Sequence, residues 1–348
     1  MKYIIVDTAN LFFKSRHVAS RQSTDWERIG MAIHLTLASV NSLVRKFSDG
    51  QPTHVVFALE GRSWRKDFYA PYKANRVVAK QALTEAELKQ DQMYWTAYEQ
   101  FTNFLIEQTN TSVLRCPTAE ADDIIARFIA LHPDDEHTIV SSDGDFYQLV
   151  SSNVKQYNSL NAMLITDSGI YDDRGRKVAF TLDGKSKIKI GKPDANFVSP
   201  ENWVEYGLFL KCVRGDTGDN VFSAYPGVRE RGTKNKPGLK EAFDDRDRRG
   251  FAWNNLMLQR WTDHNNEEHK VLVDYERNRV LIDLKCHPEQ IRQTVDESIK
   301  AGIKKTRVSN VGIYFMKFCG KFELNKISDS PDSYARWLNN SYAGKLVS

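Results

Sequence analysis

The chain has 348 residues, 41% of them hydrophobic and 27% charged, with a formal net charge of +4. That length supports one large or two ordinary domains, and the composition is that of a soluble globular protein. It excludes a membrane span, since no run approaches about 18 apolar residues, and a secretory signal, since a strand-like run begins at residue 2.

Lys2 to Asp7 (K-Y-I-I-V-D) is an apolar run closed by an aspartate, the pattern of a central parallel strand. Thr8, Ala9 and Asn10 begin a turn. Trp26, Ile29, Ile33, Leu37, Val40, Val44 and Phe47 then step by three and four, and Thr24 with Glu27 forms a capping-box signature ahead of them. This predicts a long helix whose apolar stripe is core. The run 53–59 (T-H-V-V-F-A-L) predicts a second buried strand, with Glu60 at its tip and Gly61 after it.

Residues 62–80 carry six basic side chains against one acid, Asp67, with Trp64, Phe68, Tyr69 and Tyr72 among them. A basic run is usually a solvated face. Interleaved aromatics favour a nucleic-acid groove, because Lys and Arg neutralise phosphates while rings stack on unpaired bases. A helix is expected over 84–108, and a short strand over 113–116.

Glu120, Asp122 and Asp123 open another helix. Acids in a first turn suit the helix dipole, which accounts for one or two of them better than for three. Residues 138–149 read T-I-V-S-S-D-G-D-F-Y-Q-L: a buried strand, two serines, then Asp143 and Asp145 separated by Gly144. On an extended chain those two carboxylates project the same way and repel each other unless a cation sits between them. Such acids also occur in turns and helix caps.

A further strand is expected over 154–157 and a hairpin-like stretch over 163–171. Residues 172–200 read as a weakly structured β or loop excursion that ends a first domain. A helix over 200–211 leads to Gly215-Asp216-Thr217-Gly218-Asp219-Asn220, then to a turn at 225–229 and a charged stretch to Gly250. Helices are expected over 253–261, 270–283 and 289–301. Residues 302–326 again hold six basic side chains against one acid, Glu323. The four cysteines lie far apart with no C-x-x-C pair, as reduced core thiols do, and they form no zinc motif.

Strands that end in acids, alternating with helices, predict an α/β fold with a central, mostly parallel sheet. Ligands of such sheets bind outside the carboxyl ends of the strands. Asp7, Glu60, Asp143 and Asp145 would arrive there beside the helix start carrying Glu120, Asp122 and Asp123, and Asp216 and Asp219 could add two more. Oxygen-only ligands suit Mg²⁺, with Mn²⁺ as a substitute. So many acids point to two ions about 3.5–4 Å apart, the arrangement of two-metal phosphodiester chemistry, which needs no side-chain base.

Taken in order, Asp7, Glu60, E-A-D-D (120–123), S-D-G-D (142–145) and G-D-T-G-D-N (215–220) resemble the 5′-nuclease or flap-endonuclease superfamily, and most of all its T-even-phage ribonuclease H branch. W-R-K-D-F (64–68), Y-K-A-N-R (72–76) and V-L-I-D (280–283) extend the likeness. The resemblance implies a PIN-like, Rossmann-like nuclease domain over 1–198 with a helical arch at about 61–100. It also implies a smaller, mostly helical duplex-binding domain over 199–348.

It implies a metal-dependent 5′→3′ exonuclease and flap endonuclease that removes RNA primers or 5′ flaps during replication. The substrates would be branched or nicked DNA and RNA–DNA duplex, and a single-strand-binding protein is a further partner. The chain would be a cytoplasmic monomer, in the host cytoplasm if of phage origin. By the same likeness Asp7, Glu60, Glu120 and Asp122 form a first metal site, and Asp123, Asp143, Asp145, Asp216 and Asp219 a second. Tyr72, Lys73 and Arg76 match the arch motif that stacks on substrate and holds the scissile phosphate, joined by Arg62, Arg65 and Lys66. Arg229, Lys234 and Lys236 offer duplex contacts, and a K⁺ ion in the C-terminal domain is a further expectation.

Glu60 departs from the aspartate of the phage branch, and a basic insertion follows Arg229. A PIN- or NYN-type ribonuclease is the main rival, but such domains lack the arch and the G-D-x-x-D-N segment. A phosphatase-like use of Asp7 would need a second acid two residues on, where Ala9 stands. A purely binding module gains nothing from so many acids.

Overall fold

The structure, a computed structural model, describes all residues except 20–23, 183–187, 234–235, 304–305 and 348. The chain begins β1 (Lys2–Asp7), α1 (Thr8–Ala19), α2 (Asp25–Phe47), β2 (Thr53–Leu59), α3 (Arg65–Phe68), α4 (Ala74–Gln81) and α5 (Glu85–Gln108). It continues β3 (Ser112–Arg115), α6 (Ala121–Ala130), β4 (Glu136–Val140), a 3₁₀ helix (Gly144–Leu149), β5 (Val154–Asn158) and β6 (Met163–Thr166). Then come β7 (Gly169–Tyr171), β8 (Lys177–Leu182), β9 (Ile188–Pro193), α7 (Trp203–Arg214), α8 (Leu239–Asp244), α9 (Phe251–Met257), β10 (Arg260–Thr262) and β11 (Glu268–Lys270). The last elements are α10 (Val271–Ile282), α11 (Glu289–Ile303), α12 (Val311–Lys321), α13 (Asn325–Ser328) and α14 (Asp332–Leu338). Among the described residues, no helix is long and apolar enough to cross a membrane.

Two compact units divide the chain: Met1–Trp64, Ala82–Thr166 and Glu289–Ser348 form one, Arg65–Gln81 and Asp167–Pro288 the other. This division differs from a boundary at 198/199. Residues beyond 288 join the first unit because Val311, Phe315, Phe318, Phe322 and Trp337 complete the core begun by Ile33, Leu37 and Phe101. Likewise, of the stretch expected as an arch, only residues 65–81 fall in the second unit.

The first unit is the expected α/β layer. Strands run β3-β2-β1-β4-β5-β6, parallel from β3 to β5, with β6 antiparallel to β5. β2 is buried along its whole length, as its continuous apolar run requires when both faces are covered. α2 is capped by Thr24 and Glu27 and buries Ile29, Ile33, Leu37 and Val40, each contributing about 1.5–3 kcal/mol. α5 carries a second capping box at Thr84 and Glu87. Its Phe104 ring stacks on Phe318 of α12 at 4.2 Å. Trp337 of α14 donates its indole N–H to Asn41 Oδ1 of α2 at 3.2 Å.

In the second unit, β7, β8 and β9 pair as an antiparallel meander. Of the β or loop readings open for 172–200, the strands β8 and β9 take the first. Phe180 is what orders the stretch, buried against Phe197 and Trp203 at ring distances of 5.3 and 5.0 Å. α7, α8, α9 and α10 surround Phe209, Phe243, Trp253 and Tyr275. The helix expected over 253–261 stops at Met257, and Trp261 instead lies in the β10–β11 hairpin with its ring on His269 at 4.4 Å.

Candidate metal centre

In the first unit, Asp7 ends β1 and Glu60 follows β2 directly. Register places Asp7 opposite Ala58 and Val6 opposite Val140, so Glu60 and the residues after β4 lie at the same sheet edge. Asp7 accepts from Ser141 Oγ at 2.8 Å and from the Asn10 amide at 3.3 Å. Asn10 Oδ1 in turn accepts from the amide and hydroxyl of Ser142 at 3.0 and 2.9 Å, tying the start of α1 to the turn after β4.

The helix-opening acids hold different posts. Glu60 Oε2 accepts from the Ala121 amide at 3.2 Å, on the positive end of α6. Glu120 accepts from Ser63 Oγ at 2.9 Å. Asp123 is fully buried, and its Oδ2 accepts both the Glu120 amide at 3.0 Å and the Trp64 indole N–H at 3.1 Å. That oxygen is spent on holding the helix start. Asp123, expected among the metal ligands, thus also braces the start of α6 through this oxygen.

Asp143 and Asp145 are not two residues of an extended strand. Asp143 caps the 3₁₀ helix, accepting the Asp145 amide at 3.0 Å, while its own amide donates to Ser141 Oγ at 3.1 Å. The spacing was legible; the turn chemistry was not.

Electrostatics shows which acids converge. Burial, with Glu60 and Asp143 nearby, pushes the Asp7 carboxyl up to about 7. Burial and the charges of Asp143, Asp7, Glu60 and Glu120 raise Asp122 well above the ordinary carboxylate range. Asp7 and Asp122 therefore lie within the field of Glu60, Glu120 and Asp143, which disfavours their ionised forms. A cation would relieve it. Carboxylate oxygens with no histidine or cysteine among them fit Mg²⁺.

In the second unit, the loop after α7 presents the other two acids. Gly215 adopts φ +75, where an added Cβ would lie 2.3 Å from the Val221 carbonyl oxygen. Burial would lift the Asp216 carboxyl, but Lys211 at 2.6 Å and the Gly218 amide hold it below the usual range. Asp219 accepts from Tyr72 Oη at 2.9 Å and Arg76 at 2.7 Å, with Lys73 Nζ at 3.5 Å. The Lys73 amide donates to the Asp219 carbonyl at 2.8 Å from a left-handed backbone (φ 54).

The expected nucleic-acid contacts fall into two groups. Arg62, Lys66, Arg76, Arg229 and Lys236 are exposed; Lys234 lies outside the described residues. Arg65 and Tyr72 are only 2% and 4% exposed. Arg65 donates Nε to the Leu281 carbonyl at 2.8 Å, so it braces α3 against α10 and presents no surface to a phosphate. The Tyr72 ring sits in the core with Val213 and Leu281, not free to stack on a base. Sequence reasoning missed Asn10, Ser63, Trp64, Ser141 and Lys211. The S-S ahead of D-G-D and the W-R-K-D-F segment that begins at Trp64 were the signals on offer.

Residues 2–175 match the model of the N-terminal, resolvase-like domain of 5′-3′ exonucleases. The flap endonuclease Xni of Shewanella loihica is 30% identical over 251 residues, which cover 69% of this chain and 86% of that protein. The chain belongs to the 5′-3′ exonuclease and flap-endonuclease superfamily. Ribonuclease H of phage T4, of the branch picked out from the motifs, is 27% identical to this superfamily member over 211 residues, covering 57% of the chain and 56% of the phage protein. DNA polymerase I of Rhizobium leguminosarum is 28% identical over 256 residues, 70% of this nuclease, but the match spans only 21% of the polymerase. In fold, the chain is similar to the flap endonuclease of bacteriophage T5 in a complex with DNA and metal ions. The TM-score is 0.54 at 19% identity, covering 86% of this chain and 98% of that one.

Proposed function

We propose that this 5′-nuclease is a Mg²⁺-dependent 5′→3′ exonuclease and flap endonuclease acting on 5′ flaps, nicked DNA and RNA–DNA duplex, and so fitted to removing primers and flaps. The single observation that carries the reading is the cluster of Asp7, Glu60, Glu120, Asp122 and Asp143 at one sheet edge, in which burial and the neighbouring acids raise the Asp7 and Asp122 carboxyls. Divalent ions at such oxygens activate water for in-line attack on phosphorus and stabilise the leaving oxygen.

Asp7, Glu60, Glu120 and Asp122 would hold one ion, and Asp143 and Asp145 would contribute to a second. Ser141 and Asn10 keep the Asp7 carboxylate oriented, and Ser63 does the same for Glu120. Asp123 and Trp64 fix the start of α6, so that Glu120 and Asp122 leave it in a set direction. Exposed Arg76 and half-buried Lys73 supply positive charge for a phosphate, at the expense of their contacts with Asp219. Arg62, Lys66, Arg229 and Lys236 are placed to neutralise backbone phosphates.

The test is cleavage of 5′-labelled flap, nicked and RNA–DNA substrates with Mg²⁺ and with chelator. Short products from the 5′ end are expected with Mg²⁺ alone, and Asp143→Asn should abolish them. Cleavage in chelator, or undiminished cleavage by Asp143→Asn, would sink the proposal.

A further inference from the structure

Gln156 stands in the middle of β5 with its side chain entirely out of solvent. Its Nε2 donates to two main-chain carbonyls, Ser141 at 3.0 Å and Asp143 at 2.7 Å. The opposite amide orientation would face both carbonyls with Oε1, so the chemistry of the acceptors fixes the assignment. Oε1 itself is buried without a hydrogen-bond partner. A buried, half-satisfied carboxamide costs stability that an apolar side chain of similar size would not. Filling the core does not explain it.

What Gln156 grips does. Ser141 and Asp143 flank the turn after β4. Ser141 Oγ donates to Asp7 and accepts the Asp143 amide, and Asp143 caps the 3₁₀ helix. Holding both carbonyls fixes the 141–142 and 143–144 peptide planes, which bracket Ser142 and Asp143, and with them the direction of the Asp143 carboxylate relative to Asp7. The next inward residue of β5, Asn158, is buried as well and is hydrogen-bonded to Tyr147 of the same 3₁₀ helix. The inner face of β5 is thus polar where it meets the D-G-D turn.

We propose that Gln156 is a positioning residue of the metal centre, setting Asp143 through two main-chain carbonyls without touching ion or substrate. This rests on the reading that the carboxylates hold divalent ions. Loss of a partner behind the ligands typically weakens metal binding by about 10–100-fold.

The experiment is a titration of the full-length protein with Mn²⁺, following free Mn²⁺ by electron paramagnetic resonance, alongside thermal melts without metal. Gln156→Met keeps the volume and removes both donors. It should bind Mn²⁺ at least about tenfold more weakly while its metal-free melting temperature stays near wild type. The Mg²⁺ needed for half-maximal cleavage should rise in step, with the rate recovering at saturating Mg²⁺. If Gln156→Met does not fold, Gln156→Glu, which keeps the shape and loses at least one donor, decides by the same titration. Wild-type Mn²⁺ affinity in a folded variant overturns the role of Gln156, as does weakened binding that merely tracks a lower melting temperature. Failure of the wild type itself to bind Mn²⁺ would instead overturn the metal reading of the site.

Discussion

Tyr72 donates its hydroxyl to Asp219 Oδ2 at 2.9 Å, and the same carboxylate holds Arg76 at 2.7 Å and faces Lys73 Nζ at 3.5 Å. One acid thus engages the tyrosine and both cations of the Y-K-A-N-R segment. Asn220 reinforces the contact by donating Nδ2 to the Pro71 carbonyl at 2.7 Å. Asp219→Ala should therefore loosen residues 71–76. Limited trypsin digestion reads this directly, since Lys73 and Arg76 are both cleavage sites. Faster cutting at these two positions is expected, with little change elsewhere, and equal rates in variant and wild type would count against it.

Gly61 follows Glu60 and lies against the turn before α6. A Cβ there would stand 2.0 Å from the Cys116 carbonyl oxygen and 2.6 Å from that of Ala119. Gly61→Ala should destabilise the protein by about 1–3 kcal/mol, as overpacking does. Because Glu60 adjoins the clash, Mn²⁺ binding should weaken too. Urea unfolding and metal titration test the two effects separately.

The raised carboxyls make a pH prediction. Asp7 titrates near 7 in the fold against 3.8 ordinarily, so its contribution to stability is present below about 4 and is lost as pH rises through 7. Without metal, stability should fall across that window on this account. Mg²⁺ binds the ionised form, so at pH 6.5 it should release protons, and its affinity should rise toward pH 8. Calorimetry in buffers of different ionisation enthalpy measures the release; a buffer-independent heat would contradict it.

Histidines give the opposite sign. Burial pushes both His54 and His137 down to about 4. The unfolded chain takes up these protons between about 6.5 and 4 while the fold does not, so their contribution disappears as pH falls through that range. His54 bonds Ser112 Oγ at 2.8 Å and the Asn340 carbonyl at 3.0 Å, roles a glutamine amide can take over without titrating. His54→Gln should lose less stability than wild type between pH 6.5 and 4. Urea midpoints at the two pH values provide the comparison, and parallel losses would refute the assignment.

The sheet was readable because strands buried on both faces must be apolar throughout, as 2–7 and 53–59 are. The acids at their tips were readable for the same reason: they interrupt those runs. What could not be read was which oxygens were already taken. Asp123 and Asp122 are neighbours of one residue type, yet only Asp123 meets the Trp64 indole, and no local pattern announces that. The burial of Arg65 depends on Leu281, 216 positions away. Basic composition says where charge is plentiful, and packing decides which charges remain available.

The first unit takes its core from both ends of the chain: Trp337 of α14 meets Asn41 of α2, and α14 packs on β2. Strand β2 leads straight into Glu60. During synthesis, which delivers the N-terminal part first, the residues of the metal cluster emerge long before the helix that backs their sheet. A ribosome-bound fragment ending near residue 288 would carry every acid of the cluster on a sheet packed by α1, α2, α5 and α6 but not yet by α14. Such a fragment already holds Ser141, Asn10 and Ser63 for their acids, and what it lacks is the packing that α12 and α14 add to the core behind the sheet.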